Sequence, residues 1–413
     1  MGSGTVVVGA GQAGLHLAVS LRQGGDEEPI VLVGEEPHAP YQRPPLSKDF
    51  LAGRADQDSL AFRDPGYYEQ AGIRLLTGER ITGAEPGLLH TASGRTLPYE
   101  RLALTLGAEP VRLPVPGAGL RGVCTLRGLE DARALRERLA RAERVVVVGG
   151  GFIGLETAAV ARSLGVRVTV VEAGERLMAR AVAPVVSEFY RQAHTRQGTE
   201  VLLSAAVAGF EGDAAGRVRA AVLADGTRLP ADLVLLGVGV RPRTGPARAL
   251  GVEVDGGIVV DARSRTNVPG VVAAGDCTVR PHPLTGEGRL RLESVPSAVA
   301  QAQAAAASLL GRDEPDTSVP WFWSNQGELR LQIAGLSAGH DATVVRGEPA
   351  SGQFSVLYFR RGALLAVDAV NRPADYMAVR RALTRGEHLS ADRAGDAAVP
   401  LKQLLTEGTA QVR

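Results

Sequence analysis

The chain has 413 residues, long enough for two or three domains, and 45% of them are apolar, which suffices for sizeable hydrophobic cores. Charged residues make up 22% and the formal net charge is +1, so composition gives no sign of a disordered chain or of a basic tail for nucleic acid. The two cysteines, Cys124 and Cys277, exclude a disulfide framework and predict a reducing compartment.

The sequence shows neither a signal pattern nor a membrane span. Its first residues lead straight into a strand-like run, and its apolar stretches are far shorter than the roughly 20 residues that cross a bilayer. We therefore expect a soluble, cytoplasmic protein that binds neither membrane nor nucleic acid.

The first unit along the chain combines a β-branched apolar run, a G-x-G-x-x-G loop, a helical segment, a second apolar strand and an acid. These parts are residues 6–8, the loop glycines Gly9, Gly11 and Gly14, the predicted helix 15–24, the strand 30–33 and Glu35. The first glycine makes a tight turn, the second admits a pyrophosphate to bare backbone, and the third lets helix and strand pack closely. The helix N-terminus favours the phosphates, and the acid accepts hydrogen bonds from ribose hydroxyls.

The same unit recurs 140 residues later, which makes an internal duplication the strongest organising signal. Its parts are residues 146–148, the loop glycines Gly149, Gly151 and Gly154, the predicted helix 155–165, the strand 166–171 and Glu172. One glycine loop alone is a weak signal, but two complete copies predict an α/β chain with two Rossmann-like dinucleotide-binding domains.

Two later segments complete the predicted organisation. Residues 271–274 read as a buried strand that ends in Gly275 and Asp276, and the carboxyl end of such a strand is where ligands of doubly wound sheets bind. Beyond residue 318 the pattern changes to alternating apolar residues, a hairpin and a helix, which predicts an α+β C-terminal domain. The hairpin strands are residues 354–359 and 363–370, and the helix is residues 374–385.

The breaks between the nucleotide units are short. Residues 113–117 and 241–243 read as crossovers, so one unit is inserted in the other. The predicted division is a discontinuous first domain, an inserted second domain and a C-terminal domain, at residues 1–113 with 243–318, 114–242 and 319–413.

Five short motifs carry a resemblance to a known family. They are residues 43–48 (RPPLSK), 125–127 (TLR), 275–276 (GD), 293–295 (ESV) and 321–324 (WFWS). With the two glycine loops, the whole chain resembles the two-dinucleotide-fold flavin reductases of the pyridine nucleotide-disulphide oxidoreductase superfamily. Within them it is similar to the FAD-dependent NADH:ferredoxin reductases of oxygenase systems.

The resemblance implies that the first unit holds FAD and the second holds NADH. In the first unit it places Glu35 on the adenosine ribose, Ile81 beside the adenine, Lys48 and Arg127 by the flavin, and Val295 with Trp323 along the flavin ring. The full FAD set that it implies is Gly9, Gly11, Ala13, Gly14, Glu35, Arg43, Lys48, Ile81, Arg127, Asp276, Val295 and Trp323. The NADH set is Gly149, Gly151, Ile153, Gly154, Glu156, Glu172 and Gly239, with Glu156 near the nicotinamide.

The cysteine positions narrow the chemistry. Disulfide reductases of this superfamily need a pair of neighbouring cysteines beside the flavin, and Cys124 and Cys277 do not form such a pair. The seven histidines show no metal-ligand spacing, so no metal site is predicted. Electrons must then leave the flavin directly, and no side chain acts by its own chemistry, although Lys48, Glu156 and Trp323 flank the flavin.

The resemblance, together with the absence of a cysteine pair, implies an enzyme that takes hydride from NADH onto FAD and passes single electrons to a 2Fe-2S ferredoxin serving an oxygenase or cytochrome P450. An NADH oxidase or rubredoxin-type reductase remains an alternative on the same scaffold. A protein of another class, an NADH-sensing interaction protein like apoptosis-inducing factor, is a second alternative. Contact with the ferredoxin should be transient, and the sequence leaves monomer and homodimer open.

Two finer predictions concern charge. Glu172 should favour NADH by repelling the 2′-phosphate of NADPH, while Arg176 is a candidate phosphate partner that works against this preference. An acidic ferredoxin would be steered by a local basic patch, because the net charge is near zero. The candidates are Arg372, Arg380, Arg381 and Arg385 around the predicted C-terminal helix, of which Arg381 and Arg385 share a face.

Overall fold

The computed structural model describes residues 4–405; the ends of the predicted first and third domains, residues 1–3 and 406–413, lie outside the described residues. The predicted α/β fold class is confirmed. The fold contains two parallel sheets of five strands each. A third large sheet, also of five strands but antiparallel, lies near the C-terminus of the chain.

The first parallel sheet contains the first glycine unit. Its strands are, in spatial order, Val271–Ala273, Arg101–Leu104, Thr5–Val8, Ile30–Val33 and Ile73–Leu76. The central strands are valine-rich and buried on both faces, as parallel strands require. The helices Gln12–Gln23 and Val295–Leu309 pack against this sheet, and the alanines of the second helix let the two approach closely.

The second parallel sheet contains the second glycine unit. Its strands are, in spatial order, Glu200–Leu202, Arg167–Val171, Arg144–Val148, Leu233–Leu236 and Val123–Cys124. Three helices belong to this part of the chain: Leu129–Leu139, Phe152–Ser163 and Pro184–Arg196.

The C-terminal sheet is antiparallel throughout, and its strands are, in spatial order, Trp321–Gln326, Leu329–Gly335, Ala363–Val370, Gln353–Arg360 and Ala342–Glu348. The predicted hairpin and the predicted helix, which spans Pro373–Arg385, are confirmed. Leu331, Phe354 and Val356 of this sheet share a core cluster with Val147 and Leu155. The C-terminal sheet therefore packs on the second nucleotide unit, which positions Trp321–Gln326 beside the helix that follows the second glycine loop.

Short elements surround these sheets. The small antiparallel sheets are Ile81–Glu85 with Leu88–Thr91 and Thr96–Pro98, and Val207–Gly212 with Val218–Leu223 and Arg228–Pro230. A mixed sheet contains Ile258–Val259, Thr278–Pro281 and Arg289–Leu290. The shorter helices are Pro44–Ser47, Asp58–Leu60, Tyr67–Gln70, Gly245–Ala249, Pro349–Ser351, Ala391–Ala394 and Leu401–Leu404.

The two crossovers lie side by side. Ala108–Pro110 leaves the first sheet and pairs in antiparallel fashion with Val240–Pro242, which returns from the second sheet. In residues 4–405 no helix is long and apolar enough to cross a membrane. In the same range no group of three or more histidine, cysteine or carboxylate side chains could hold a metal ion.

The predicted starts of both loop helices were wrong by three residues. The helices begin at Gln12 and Phe152 instead of residues 15 and 155, because each starts directly after its second loop glycine, which is the N-cap. An early start puts the free backbone N–H groups of the first turn at the loop itself, where an anion binds.

Candidate functional site

The first glycine loop is built so tightly that only glycine fits at two of its positions. Gly9 has a φ of +113°, and a Cβ there would overlap the Thr105 carbonyl oxygen. A Cβ on Gly14 would overlap the Gly9 carbonyl oxygen, so the helix passes directly over the loop backbone.

The second glycine loop repeats this construction. Gly149 has a φ of +105°, and a Cβ there would lie 2.5 Å from the Gly237 carbonyl oxygen. A Cβ on Gly154 would overlap the Gly149 carbonyl oxygen. Both loops therefore have the close helix-to-loop approach that the sequence pattern predicts.

The middle glycines differ from their neighbours in having free space. Gly11 and Gly151 are the N-caps of their helices, have extended backbones, and have no atom of residues 4–405 within 4 Å of an added Cβ. A side chain at either position would occupy the space in front of a helix N-terminus, where the partial positive charge of the helix attracts an anion. This open cradle is the feature that a pyrophosphate requires.

A cavity of about 730 Å³ extends from the first glycine loop to the C-terminal sheet. Its volume lies within the range of roughly 300–1,000 Å³ that is typical of ligand sites. Predicted residues that line it are Gly9, Gly11, Ala13, Glu35, Arg43, Lys48, Arg127, Ile153, Glu156, Asp276, Val295 and Trp323. The cavity thus brings ten of the twelve predicted FAD residues together with two of the predicted NADH residues.

The remaining predicted residues lie outside the lining of this cavity. Gly14 lies behind the first loop, and Ile81 starts the strand Ile81–Glu85 next to Arg80, whose guanidinium lies 4.0 Å from Glu35. The remaining predicted NADH residues belong to the second loop and the strand ends beside it: Gly149, Gly151, Gly154, Glu172 and Gly239.

Glu35 is engaged by an arginine from the returning crossover. Its carboxylate forms an ion pair with Arg243, which also approaches Glu109 at 3.6 Å. Glu109 in turn pairs with Arg241 at 2.6 Å. All four side chains line the cavity, so its mouth alternates acids and arginines.

The cavity wall near the first crossover is held by two further arginine contacts. Arg43 pairs with Glu36 and donates to the Arg127 carbonyl oxygen at 2.8 Å, while Arg127 pairs with Asp276 at 2.7 Å. Burial pushes the pKa of Glu36 upward, but Arg43 and Tyr41 together hold that pKa below its ordinary value. These contacts fix the orientation of two predicted FAD residues, Arg127 and Asp276.

Glu156, on the helix Phe152–Ser163, is contacted by the short helix Pro44–Ser47 of the first unit and by the strand Trp321–Gln326 of the C-terminal sheet. Its carboxylate is 2% exposed, and its Oε2 lies 2.6 Å from the Lys48 ammonium and 2.5 Å from the Ser47 hydroxyl. Its Oε1 accepts from the Ser324 hydroxyl at 2.7 Å. Three donors therefore satisfy this buried carboxylate, as a buried charge requires.

The tryptophans lie one behind the other on the strand Trp321–Gln326, as the spacing of two predicts. Trp323 lines the cavity and stacks on Trp321 with ring centroids 5.5 Å apart. The Arg380 guanidinium lies 4.6 Å above the Trp321 ring. Trp323, Trp321 and Arg380 therefore form a continuous stack of side chains from the cavity to the helix Pro373–Arg385.

The acid of the second unit folds back onto its own glycine loop. Glu172 accepts from the Gly150 N–H at 2.6 Å and from the Gly174 N–H at 2.7 Å. Arg176 points elsewhere and donates to Val182, Ser187 and Ala179 at 2.6–2.9 Å. These three contacts hold its guanidinium between its own loop and the start of the helix Pro184–Arg196.

Neither cysteine is suited to redox chemistry with a cofactor. Burial raises the pKa of Cys124 to about 11 and that of Cys277 to about 12, so both remain thiols. They belong to different parts of the fold, and neither lines the cavity.

Sequence reasoning did not single out several residues of the site. Ser47 and Ser324 lie inside the motifs that carry the resemblance, so their signal was present but unassigned. Arg243 and Glu36 had no sequence signal, because their roles arise from contacts between distant segments.

FAD fits the residues of this cavity. The open cradle at Gly11 accommodates a pyrophosphate, and two helices, Gln12–Gln23 and Val295–Leu309, direct their N-termini to the cavity. Lys48 and Trp323 lie at its other end, where a flat, electron-accepting ring would find a cation and an aromatic face.

Comparison with known proteins agrees with this geometry. A family model described as pyridine nucleotide-disulphide oxidoreductase matches residues 4–302, and one described as reductase C-terminal matches residues 321–405. Members of this family use FAD and NAD(P)H.

Relatives match over nearly the whole chain. The ferredoxin reductase subunit of a 5,5′-dehydrodivanillate O-demethylase from Sphingobium sp. is 41% identical over 97% of each chain. A putidaredoxin reductase of Pseudomonas putida is 40% identical over 98% of each, and a rubredoxin-NAD(+) reductase of the same species is 36% identical over 89% of this chain and 96% of its own.

The solved structure of a covalent putidaredoxin reductase–putidaredoxin complex superimposes with a TM-score of 0.94 at 40% identity, covering 97% of each chain. Fold, glycine loops, cavity and relatives agree. The chain therefore belongs to the pyridine nucleotide-disulphide oxidoreductase family and is an oxidoreductase that uses FAD and NAD(P)H.

Proposed function

We propose that this chain is an NADH:ferredoxin reductase that supplies electrons singly to a 2Fe-2S ferredoxin of an oxygenase or cytochrome P450 system. The observation that carries the proposal is one cavity lined by the first glycine loop, by Glu156 of the second unit and by Trp323, with no cysteine in its lining. Such a cavity suits electron transfer without a thiol relay.

The cofactor assignment is part of this proposal. FAD is held by the predicted FAD set in the first unit, residues 1–113 with 243–318, and NADH by the predicted NADH set in the second unit, residues 114–242. Residues 319–413 form the third domain and supply Trp323. The pairing of Ala108–Pro110 with Val240–Pro242 supports boundaries at the two crossovers, and the separate strand sets of the two parallel sheets support the division.

FAD held there would supply the chemistry that links the two-electron donor NADH to a one-electron acceptor. The residues of the chain bind the two cofactors and orient them. Gly11 and Gly151 give backbone access to the two pyrophosphates, and Trp323 supplies a flat surface at the far end of the cavity. Lys48 and Glu156 neutralise each other in the buried wall, so the site gains a fixed dipole without a net charge.

The acceptor assignment rests on relatives and on the surface. Two relatives are described as reductases of ferredoxin-type proteins, one of them solved in complex with its partner. The stacked path from Trp323 through Trp321 to Arg380 supports an exit beside the helix Pro373–Arg385. A small acidic iron–sulfur protein would meet arginines there.

The deciding experiment is NADH-driven reduction of purified acceptors. We expect rapid single-electron reduction of a 2Fe-2S ferredoxin, followed through coupled cytochrome c reduction, and little oxygen consumption in its absence. Fast oxygen consumption without any acceptor would identify an NADH oxidase instead. Failure of NADH to bleach the bound flavin would reject the whole proposal.

A rubredoxin is the second candidate acceptor, because a rubredoxin reductase is among the relatives. Parallel assays with a 2Fe-2S ferredoxin and a rubredoxin should give the higher kcat/KM for the ferredoxin. We propose the cytoplasm as the compartment, since Cys124 and Cys277 are free cysteines and no disulfide stabilises the fold. Light scattering distinguishes the monomer from the homodimer.

A further inference from the structure

A row of four buried polar side chains leads away from the candidate site. His194 Nε2 lies 2.8 Å from Gln326 Oε1, and Gln326 Nε2 lies 3.4 Å from Ser324 Oγ. Ser324 Oγ lies 2.7 Å from Glu156 Oε1. Each of the four side chains is at most 2% exposed. The row therefore joins the carboxylate beside Lys48 to a histidine on the helix Pro184–Arg196.

The hydrogen bonds of this row have one direction. Burial lowers the pKa of His194, so its ring is neutral and carries one proton. Within residues 4–405 its Nδ1 has no hydrogen-bond partner, whereas Nε2 faces the Gln326 amide oxygen. The proton therefore sits on Nε2, where it has an acceptor.

The remaining orientations follow from that proton. Gln326 accepts through its oxygen, so its amide nitrogen must donate, and Ser324 Oγ and Met178 Sδ are its neighbours at 3.4 and 3.7 Å. Ser324 receives from Gln326 and directs its own hydroxyl proton to Glu156. Every donor in the row thus points toward the carboxylate, and aligned hydrogen bonds strengthen one another in a buried environment.

We propose that Ser324, Gln326 and His194 are positioning residues for hydride transfer, which hold the Glu156 carboxylate in one orientation beside Lys48. This inference rests on the proposed function. Among the described residues Ser324 is the one hydrogen-bond donor to Glu156 Oε1, while Lys48 and Ser47 hold Oε2. Without the Ser324 hydroxyl, the carboxylate is held by one oxygen and can rotate.

The tautomer of His194 tests the direction of the row without any turnover. In protein labelled with ¹⁵N-histidine, the signal assigned with a His194→Asn variant should show a protonated Nε2 and an unprotonated Nδ1. A proton on Nδ1, or a doubly protonated ring at pH 7, would reverse or break the row and overturn the inference.

Stopped-flow reduction of the bound flavin by NADH tests the functional consequence. Ser324→Ala should lower the limiting rate about 10-fold, the size expected of one lost hydrogen bond to a charge. Gln326→Met, which acts through Ser324, should lower it roughly 3-fold. The double variant should resemble Ser324→Ala at about 10-fold, and not reach the product of roughly 30-fold, because the two residues act in series.

The same variants should bind 1,4,5,6-tetrahydro-NADH, a non-reducing analogue, with dissociation constants changed less than about 2-fold, since the proposed loss is in orientation. Ser355→Ala is a matched control, because Ser355 is also a fully buried serine of the C-terminal sheet and donates to a buried carboxylate, Asp375, at 3.0 Å. It should lower the melting temperature without slowing flavin reduction.

The possible outcomes distinguish failure of the proposed positioning role from failure of the proposed reductase function. Wild-type rates in Ser324→Ala, multiplicative losses in the double variant, or equal slowing by Ser355→Ala would overturn the inference while NADH still bleaches the wild-type flavin. A wild-type protein that NADH does not bleach would instead reject the proposed function.

Discussion

Glu172 affects both the structure of the second loop and the choice between NADH and NADPH. Its carboxylate accepts hydrogen bonds from the backbone N–H groups of Gly150 and Gly174. A negative charge held there repels a 2′-phosphate, and Arg176 directs its guanidinium to Val182, Ser187 and Ala179 instead. We expect kcat/KM for NADH to exceed that for NADPH by at least about 10-fold, or ~1.4 kcal/mol. Steady-state rates with both cofactors measure this ratio.

Glu172→Gln should lower the ratio of kcat/KM for NADH to kcat/KM for NADPH. The substitution removes the negative charge and retains one side-chain oxygen that accepts hydrogen bonds from the loop. Glu175→Gln provides the matched control, because it removes one charge from an exposed position three residues away. Equal use of NADPH by the wild type, or an unchanged ratio in Glu172→Gln, would contradict this reading of the site.

Asp368 lies between the second unit and the C-terminal sheet and makes the stability of the fold depend on pH. It accepts from Tyr358 and from the Ala183 N–H, and burial raises its pKa from 3.8 to about 7. The folded state therefore holds a proton that the unfolded state releases. This contribution to stability is complete below about pH 4 and is lost as the pH rises through 7.

Asp368→Asn removes the titration while keeping the shape of the side chain. Its melting temperature relative to wild type should rise between pH 5 and pH 8, by at least about 2 °C. Scanning calorimetry at both pH values measures the change. A constant difference between the two proteins would show that Asp368 does not titrate in this range.

The two glycine-loop helices allow the cofactor sites to be separated by matched substitutions. Gly11 and Gly151 have extended backbones and, among the described residues, no neighbour within 4 Å of a Cβ, so valine is accommodated by the fold and blocks the cradle. Gly11→Val should yield folded, colourless protein without FAD. Gly151→Val should remain yellow and resist bleaching by NADH.

Absorbance spectra and circular dichroism check both variants. Gly14→Val is a useful contrast, because its side chain would overlap the Gly9 carbonyl oxygen and should unfold the unit. Loss of flavin from Gly151→Val together with its retention in Gly11→Val would show that the two assignments are reversed.

The same elements show how far sequence reasoning reaches. The loop helices, the strand before Asp276 and the C-terminal hairpin were predictable, because glycine spacing and apolar periodicity act within one segment. The contacts of Glu156 were not predictable. Lys48 and Ser324 lie 108 and 168 residues away, and they meet it only because the first unit, the second unit and the C-terminal sheet pack together.

At the scale of the whole molecule, charge is distributed in small, nearly neutral groups. The net charge is +1, and the predicted basic patch is partly compensated. Arg372 pairs with Asp375, Arg380 lies over Trp321, and Arg381 and Arg385 share Glu387 at 3.5 and 3.7 Å. Two of these four arginines thus point to a common acid, as their placement on one helix face predicts.

An acidic ferredoxin should nevertheless be attracted to this face, because Arg381 and Arg385 are 46% and 65% exposed while Glu387 is 14% exposed. Ferredoxin-dependent turnover should fall as salt rises and the Debye length shrinks from about 10 Å at 0.1 M toward 3 Å at 1 M. Charge reversal at Arg381 and Arg385 should raise KM for ferredoxin about 10-fold and leave flavin reduction by NADH unchanged.

Reversal of Arg217 and Arg219 is the matched control for this last prediction. These two arginines also share one acid, Asp213, and are 61% and 54% exposed, but they lie at the start of the strand Val218–Leu223 in the second unit. The two double variants change the net charge equally, so a general charge effect would raise KM in both. An effect in the Arg381 and Arg385 variant alone would assign steering to the C-terminal helix. An unchanged KM there would discard this patch, and salt-independent turnover would discard steering altogether.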